Sequence, residues 1–302
     1  MLDVTLSEQE LACEISRIEG FLRAGLFPGD RVVIGASGGL DSDVVSRLAV
    51  RILGSDRVKL FLVIQEGMEE RHANNARDLA RDLGIELVEI DLSQMPFEFM
   101  RSMAAADPEE RFMPNGLIDP SRAKCSLRTV IFSTYVDRGY VVLGTSNRTE
   151  FETGFFLPLG DGLAHLKPLV HLYKTQVRQV AEAIGTRHGV LDQPASSGFW
   201  PGAQDLEDLC YWILNEAPIG RQRDFTEEEV KEAGEMHGTL TTEAVDCSLY
   251  GFSLGRSDED VASLAGLPCR TVQRLRKVVE GACVLKRRDL LLRLPPWDRA
   301  RA

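Results

Sequence analysis

The chain has 302 residues, of which 44% are hydrophobic, and a formal net charge of -11. That apolar content suffices for one large α/β domain with an appended lobe, while the acidic balance argues against a general nucleic-acid coat. There is no apolar run long enough to cross a bilayer and no basic-then-apolar leader, so a cytosolic protein is expected.

Residues 6–26 predict an amphipathic helix, with Leu11, Ile15, Ile18 and Leu22 on one face. Arg31-Val32-Val33-Ile34 then reads as a strand. It runs into Gly35-Ala36-Ser37-Gly38-Gly39-Leu40-Asp41-Ser42, and a helical pattern follows with Val44, Val45, Leu48, Ala49 and Ile52 on one face. Residues 58–64 form a nearly continuous apolar run, the mark of a buried parallel strand. Residues 70–83 predict a helix and 86–92 another strand. The alternation of strands and helices predicts an open parallel sheet with helices on both faces. Residues 93–121 lack clear periodicity and contain Pro96, Pro108, Pro114 and Pro120, so they are read as a mobile crossover able to cover a site.

A helix over 124–137 and a strand over 140–144 come next, leading to Gly144-Thr145-Ser146-Asn147-Arg148-Thr149-Glu150. Gly160-Asp161-Gly162 makes a turn. Tyr173-Lys174-Thr175-Gln176 opens a helix, residues 194–202 form a loop, and Asp205 begins a further helix. The division expected is a nucleotide-binding domain over 1–215, an acidic insertion over 216–247 with one helix at 226–235, and a C-terminal helical hairpin with a basic tail over 248–302.

The strand–glycine turn–helix unit carries the chemistry. Such a turn aims backbone N–H groups and the positive end of a helix dipole at one point, which suits pyrophosphate. Gly38 and Gly39 permit unusual dihedrals and close ligand approach. Ser37 and Ser42 add hydroxyls, and Asp41 can hold Mg²⁺ beside the phosphates. No lysine follows the glycines, which excludes a Walker loop, and G-x-G-x-x-G does not fit.

The order Ser-Gly-Gly-Leu-Asp-Ser resembles the PP-loop of the ATP pyrophosphatases, which split ATP into AMP and pyrophosphate. With the later blocks placed, the chain resembles the ammonia-dependent NAD synthetases, of adenine nucleotide alpha hydrolase-like fold. The resemblance implies that ATP and Mg²⁺ bind at the loop. An acceptor carboxylate, nominally that of deamido-NAD, is adenylated, and ammonia or a separate ammonia donor supplies the amide nitrogen. It also implies a homodimer, with the first helix and the 206–213 helix as candidate contacts.

By the same resemblance Ala36, Ser37, Gly38, Gly39, Asp41, Ser42, Thr145, Lys174 and Ser196 contact ATP, and Asp41 and Glu150 hold the metal. Lys174 supplies the positive charge that the loop lacks, and Lys286 and Arg287 belong to the catalytic set. The acceptor side departs from the family pattern. Ser126 stands where the family has an arginine before Leu127-Arg128, and Pro158 where it has a lysine. His165 stands in place of an aspartate and Leu285 in place of a histidine. A charge-assisted bond is worth roughly 1.5–3 kcal/mol, so four such losses predict a weakened dinucleotide site or a different acceptor.

Two other features point elsewhere. Cys125, read as opening a helix between Lys124 and Arg128, is either a small buried residue or a thiol of depressed pKa, the latter suiting a sulfur transferase. Residues 260–274 have the spacing of a helix-turn-helix with a basic second helix (Arg270, Arg274, Arg276, Lys277), a pattern shared by nucleic-acid binders and plain helical hairpins. The six cysteines include no C-x-x-C and the five histidines no H-x-x-x-H, so reduced thiols and no transition-metal site are expected.

Overall fold

A computed structural model describes residues 4–116, 118–198, 200–218 and 224–289, with side chains as far as 283. Helix α1 (Glu8–Gly25) is followed by β1 (Arg31–Gly35), α2 (Leu40–Leu53), β2 (Val58–Ile64), α3 (Glu70–Leu83) and β3 (Leu87–Asp91). Next come α4 (Met95–Ala106), α5 (Ile118–Val136), β4 (Tyr140–Val142), α6 (Arg148–Thr153), α7 (Lys174–Ala183) and α8 (His188–Leu191). The chain continues through α9 (Asp205–Asn215), α10 (Glu227–His237), α11 (Thr242–Ser253), α12 (Asp258–Ala265) and α13 (Cys269–Asp289).

The four strands are parallel in the order β3-β2-β1-β4. Side chains alternate across the sheet, as the two-residue period of a strand requires. Val32, Ile34, Leu60 and Leu62 enter a core shared with α1, α2, α3 and α7. Val33, Phe61 and Val63 enter another, covered by Phe132 and Tyr135 of α5. Both faces are therefore buried, as expected. Connection β1-α2-β2-α3-β3 winds away from β1 on one side, while β4 lies on the other, so the winding reverses between β1 and β4. Crevices beyond the carboxyl ends of strands at such a switch point are where open α/β sheets bind ligands.

Two local readings are corrected. The 93–121 crossover contains a helix, α4. Pro96 lies in its first turn, where a missing N–H costs nothing, so this proline starts a helix and does not break one. Helix α5 begins at Ile118, six residues earlier than expected. Pro120, Ser121, Ala123, Lys124 and Cys125 are all buried, so its first turns carry no amphipathic period.

A second core joins Leu209, Cys210 and Ile213 of α9 to Met236 of α10, Leu249 of α11, Val261 of α12 and Val272, Leu275 and Val278 of α13. The expected boundary at 247/248 falls inside α11. Leu209 and Ile213 pack into this second core, and Ile18 and Leu22 of α1 into the first. Among the described residues no helix is long and apolar enough to cross a membrane.

Candidate active site at the strand switch point

The loop after β1 owes its shape to Gly38. Its φ is 76°, in the left-handed region that glycine adopts at little cost. A Cβ there would lie 1.9 Å from the His72 carbonyl oxygen. Ser37 Oγ accepts from the Gly39 N–H at 3.3 Å and lies 3.2 Å from Ser42 Oγ. Gln193 Nε2 and Asn75 Nδ2 donate to Gly38 O at 2.8 and 3.3 Å, tying the loop to its surroundings.

Across the crevice, the turn after β4 leads into α6. Asn147 caps that helix in a reciprocal capping box: its side chain accepts from the Glu150 N–H, and its own N–H donates to Glu150 Oε2. The Asn147 amide also faces the β1 loop, donating to Asp41 Oδ1 at 3.1 Å and to Glu150 Oε1 at 2.7 Å. Lys174, the first residue of α7, ion-pairs with Asp41 Oδ2, and its Nζ is 3.6 Å from Glu150 Oε1. Asp41, Glu150 and Lys174 thus converge from three separate helices.

The three line one cavity of about 490 Å³ together with Ala36, Ser37, Gly39, Ser42, Thr145 and Ser196. Burial and the nearby Asp41 push the Glu150 carboxyl up to about 8, against the pull of Lys174. Burial works against the charge of Lys174, yet Asp41, Glu150 and Asp205 overcome it and hold the ammonium above its usual range. Burial, opposed by Lys174 and aided by Asp41, raises Asp205 to about 6, and its Oδ1 is buried without a partner. The carboxylates outnumber the one ammonium at their centre, an arrangement that favours a cation. Among the described residues no group of three or more His, Cys, Asp or Glu side chains forms a metal site. A pair of carboxylates completed by substrate oxygens suits Mg²⁺, which rarely takes an all-protein cage.

Asn147 and Asp205 were not singled out from the sequence. The Asn147-Arg148-Thr149-Glu150 spacing of a capping box was a legible signal for the first. Nothing local marks the second.

The other candidate residues divide. Arg128 lines the cavity, with Nη2 3.4 Å from Gln65 Oε1. Ser126 is exposed and does not line the cavity, nor does Pro158. His165 does not line the cavity either, and its Nδ1 accepts from the Val142 N–H at 2.9 Å, which ties the ring to a strand end. Leu285, Lys286 and Arg287 lie outside the residues with described side chains.

Of the two readings of Cys125, the structure bears out the small buried residue and not the thiol of depressed pKa. The thiol sits in the third turn of α5 and not at its N-terminus, and burial pushes it up to about 12. A persulfide carrier needs an accessible thiolate, so sulfur transfer loses its support. Three of the four basic residues named on the second helix of the hairpin, all but exposed Arg270, pair within the chain. Arg274 pairs with Glu232 at 2.5 Å, Arg276 with Asp258 at 2.6 Å and Lys277 with Glu216 at 2.5 Å, which leaves the hairpin reading over nucleic-acid binding.

A parallel sheet with a glycine loop and two facing acidic groups at its switch point defines a nucleotide-binding α/β protein of the PP-loop superfamily. The NAD synthase family model matches residues 14–248. The chain belongs to that family, whose members are ATP-using carbon–nitrogen ligases. It is 33% identical over 205 residues to the NH(3)-dependent NAD(+) synthetase of Pyrococcus furiosus, covering 67% of this chain and 75% of the relative. Identity to the NH(3)-dependent NAD(+) synthetase of Mesorhizobium japonicum is 27% over 317 residues, covering 89% and 91%. Among solved structures, the NMN synthetase of Francisella tularensis superposes with a TM-score of 0.69 at 21% identity, covering 95% of this chain and 99% of that one.

Proposed function

We propose that this chain amidates a carboxylate at the expense of ATP, forming AMP and pyrophosphate. The observation that carries the reading is the meeting of Asp41, Glu150 and Lys174 over the Ser37–Gly39 loop. A carboxylate resists nucleophiles because its charge repels them and oxide is a poor leaving group. Attack by its oxygen on the α-phosphorus of ATP forms an acyl-adenylate and breaks the bond to pyrophosphate. Ammonia then adds at the acyl carbon, AMP leaves, and a proton is released.

In this reading the loop N–H groups and the Ser37 and Ser42 hydroxyls hold the departing phosphates, and Lys174 Nζ balances the charge that grows on them. Asp41 and Glu150 would hold Mg²⁺, which when bound neutralises phosphate charge. Thr145 and Ser196 line the cavity where they would contact the nucleotide. The relatives' names make deamido-NAD the nominal acceptor. Ser126, Pro158 and His165, where the family pattern has charges, lie outside this cavity and could serve only an acceptor that extends beyond it; their lack of those charges favours a second reading, in which a smaller acid such as the corresponding mononucleotide is preferred. Free ammonia, or a separate donor protein, is the nitrogen source in both.

The same proposal includes a homodimer and a cytosolic location. The exposed apolar side chains of α4 and α5, Met95, Phe99 and Val130, give such a dimer a surface to cover. The six cysteines form no disulfide among the described residues, which suits a reducing compartment. A monomer by light scattering removes the dimer.

The deciding assay is pyrophosphate release with Mg²⁺, ATP and ammonia against deamido-NAD and the mononucleotide acid. Turnover of either supports ATP-driven amidation, and the ratio of their kcat/KM values selects the acceptor. No release with either, in a protein that binds ATP, defeats the proposal.

A further inference from the structure

We propose that Asp246 is a positioning residue that locks α6 to α7 and thereby sets the geometry between Glu150 and Lys174. This rests on the ATP-handling role proposed above for those two side chains. Asp246 is fully buried in the middle of α11, within the stretch read from the sequence as an insertion. Its Oδ1 accepts from Thr149 Oγ1 at 2.5 Å. Its Oδ2 accepts from the Thr175 N–H at 2.8 Å and from Thr175 Oγ1 at 2.5 Å.

These donors are neighbours of the site residues. Thr149 is the second residue of α6 and precedes Glu150, while Thr175 is the second residue of α7 and follows Lys174. The two helices are joined again where the Lys174 N–H donates to Thr149 Oγ1 at 2.9 Å. One carboxylate therefore spans the first turns of two helices, where N–H groups lack intrahelical partners and the dipoles favour a negative charge.

A buried carboxylate is costly unless its charge is met by donors. Here three hydrogen bonds, one of them from a backbone N–H at the N-terminus of α7, meet it, and what they fix is the distance between α6 and α7. An apolar contact would hold the helices together without fixing their register. Misplacement of a catalytic group by about 1 Å can cost on the order of a hundredfold in rate.

The test is steady-state pyrophosphate release by the full chain, run well below the melting temperature of every variant. Asp246→Asn still accepts from the Thr175 N–H but presents an NH₂ to the Thr149 hydroxyl. Its kcat should fall about ten- to a hundredfold, by a larger factor than KM for ATP changes. Thr149→Val should show the same kcat-dominated loss, and the double variant should cost little more than either alone, because all three break one relay. Thr175→Ser, which retains both donors, should keep the wild-type kcat. Leu249→Ala, fully buried in the same helix but in the second core, should lose stability and keep kcat.

The proposal is overturned if kcat of Asp246→Asn stays within about twofold of wild type, if the losses add independently, or if Leu249→Ala loses as much rate. Should Asp246→Asn fail to fold, Thr149→Val decides alone. An active Lys174→Ala variant defeats the underlying ATP reading. An inactive Lys174→Ala beside a fully active Asp246→Asn defeats only the clamp.

Discussion

Lys174 and Asp41 are 133 positions apart in the chain, yet their side chains form an ion pair at the mouth of the β1 loop. Both are largely buried, at 15% and 14% side-chain exposure, so the pair escapes much of the screening that weakens surface salt bridges. Removing one member leaves the other without its counter-charge beside Glu150. Lys174→Ala should reduce ATP–pyrophosphate exchange by about 10²–10³-fold, the usual cost of losing one preorganised electrostatic donor. Exchange at more than a tenth of the wild-type rate would show that the ammonium does not serve the phosphates.

Glu150 gives a pH dependence of definite sign. Its ordinary value is 4.5, and in the folded protein burial and Asp41 raise it to about 8. Between those values the folded state binds more protons than the unfolded one, so stability falls as pH rises. Asp205 contributes with the same sign, but only between 3.8 and about 6. Above pH 6 the slope belongs mainly to Glu150 among these two. Thermal melts of the ligand-free protein should therefore fall between pH 6 and 8, and Glu150→Gln should flatten the fall. Added Mg²⁺ with ATP should raise the melting temperature of wild type more at pH 8 than at pH 6, because a deprotonated Glu150 binds the cation. Equal shifts at both pH values contradict the assignment.

Gly38 is constrained twice, by its positive φ and by the His72 carbonyl where a Cβ would go. Gly38→Ala should destabilise the fold by about 1–3 kcal/mol and abolish measurable ATP binding by calorimetry, because α3 or the loop must move. Gly54 also has a positive φ but nothing within 4 Å of its added Cβ, and Gly54→Ala should leave ATP binding intact. Equal ATP affinity in the two variants would mean that the loop tolerates displacement.

Cys125 should be inert. With its thiol raised to about 12, labelling by a thiolate-selective reagent at pH 8 should be far slower than at exposed Cys13. Cys125→Ser should keep amidation within about twofold of wild type, since no step needs the thiolate. Rapid labelling of Cys125, identified by peptide mapping, would reopen sulfur chemistry.

Most of the α/β framework was legible because its signals are local. The apolar run of β2 and the amphipathic period of α3 lie in continuous sequence, and the element bounds observed there match those read in advance. The β1 loop announced itself by composition, with hydroxyls and a carboxylate among glycines, although only Gly38 needs glycine's conformational freedom: Gly39, expected to share it, has an ordinary φ of -93°. Local signals failed where burial surrounds a helix. The first turns of α5 are enclosed on several sides, which erased their period and placed Cys125 wrongly at a helix start.

The parallel βαβ order, the glycine-rich loop after β1 and the family resemblance could all be read from local sequence. Each rests on neighbours in the chain and on the periods of strand and helix. Packing in three dimensions was needed to bring Asp41, Asn147, Glu150 and Lys174 together, to tie His165 to a strand end and to set Asp246 beside the site. Those outcomes depend on how helices pack, and a hydrogen bond between residues 71 positions apart, such as Thr175 to Asp246, leaves no periodic trace in the sequence.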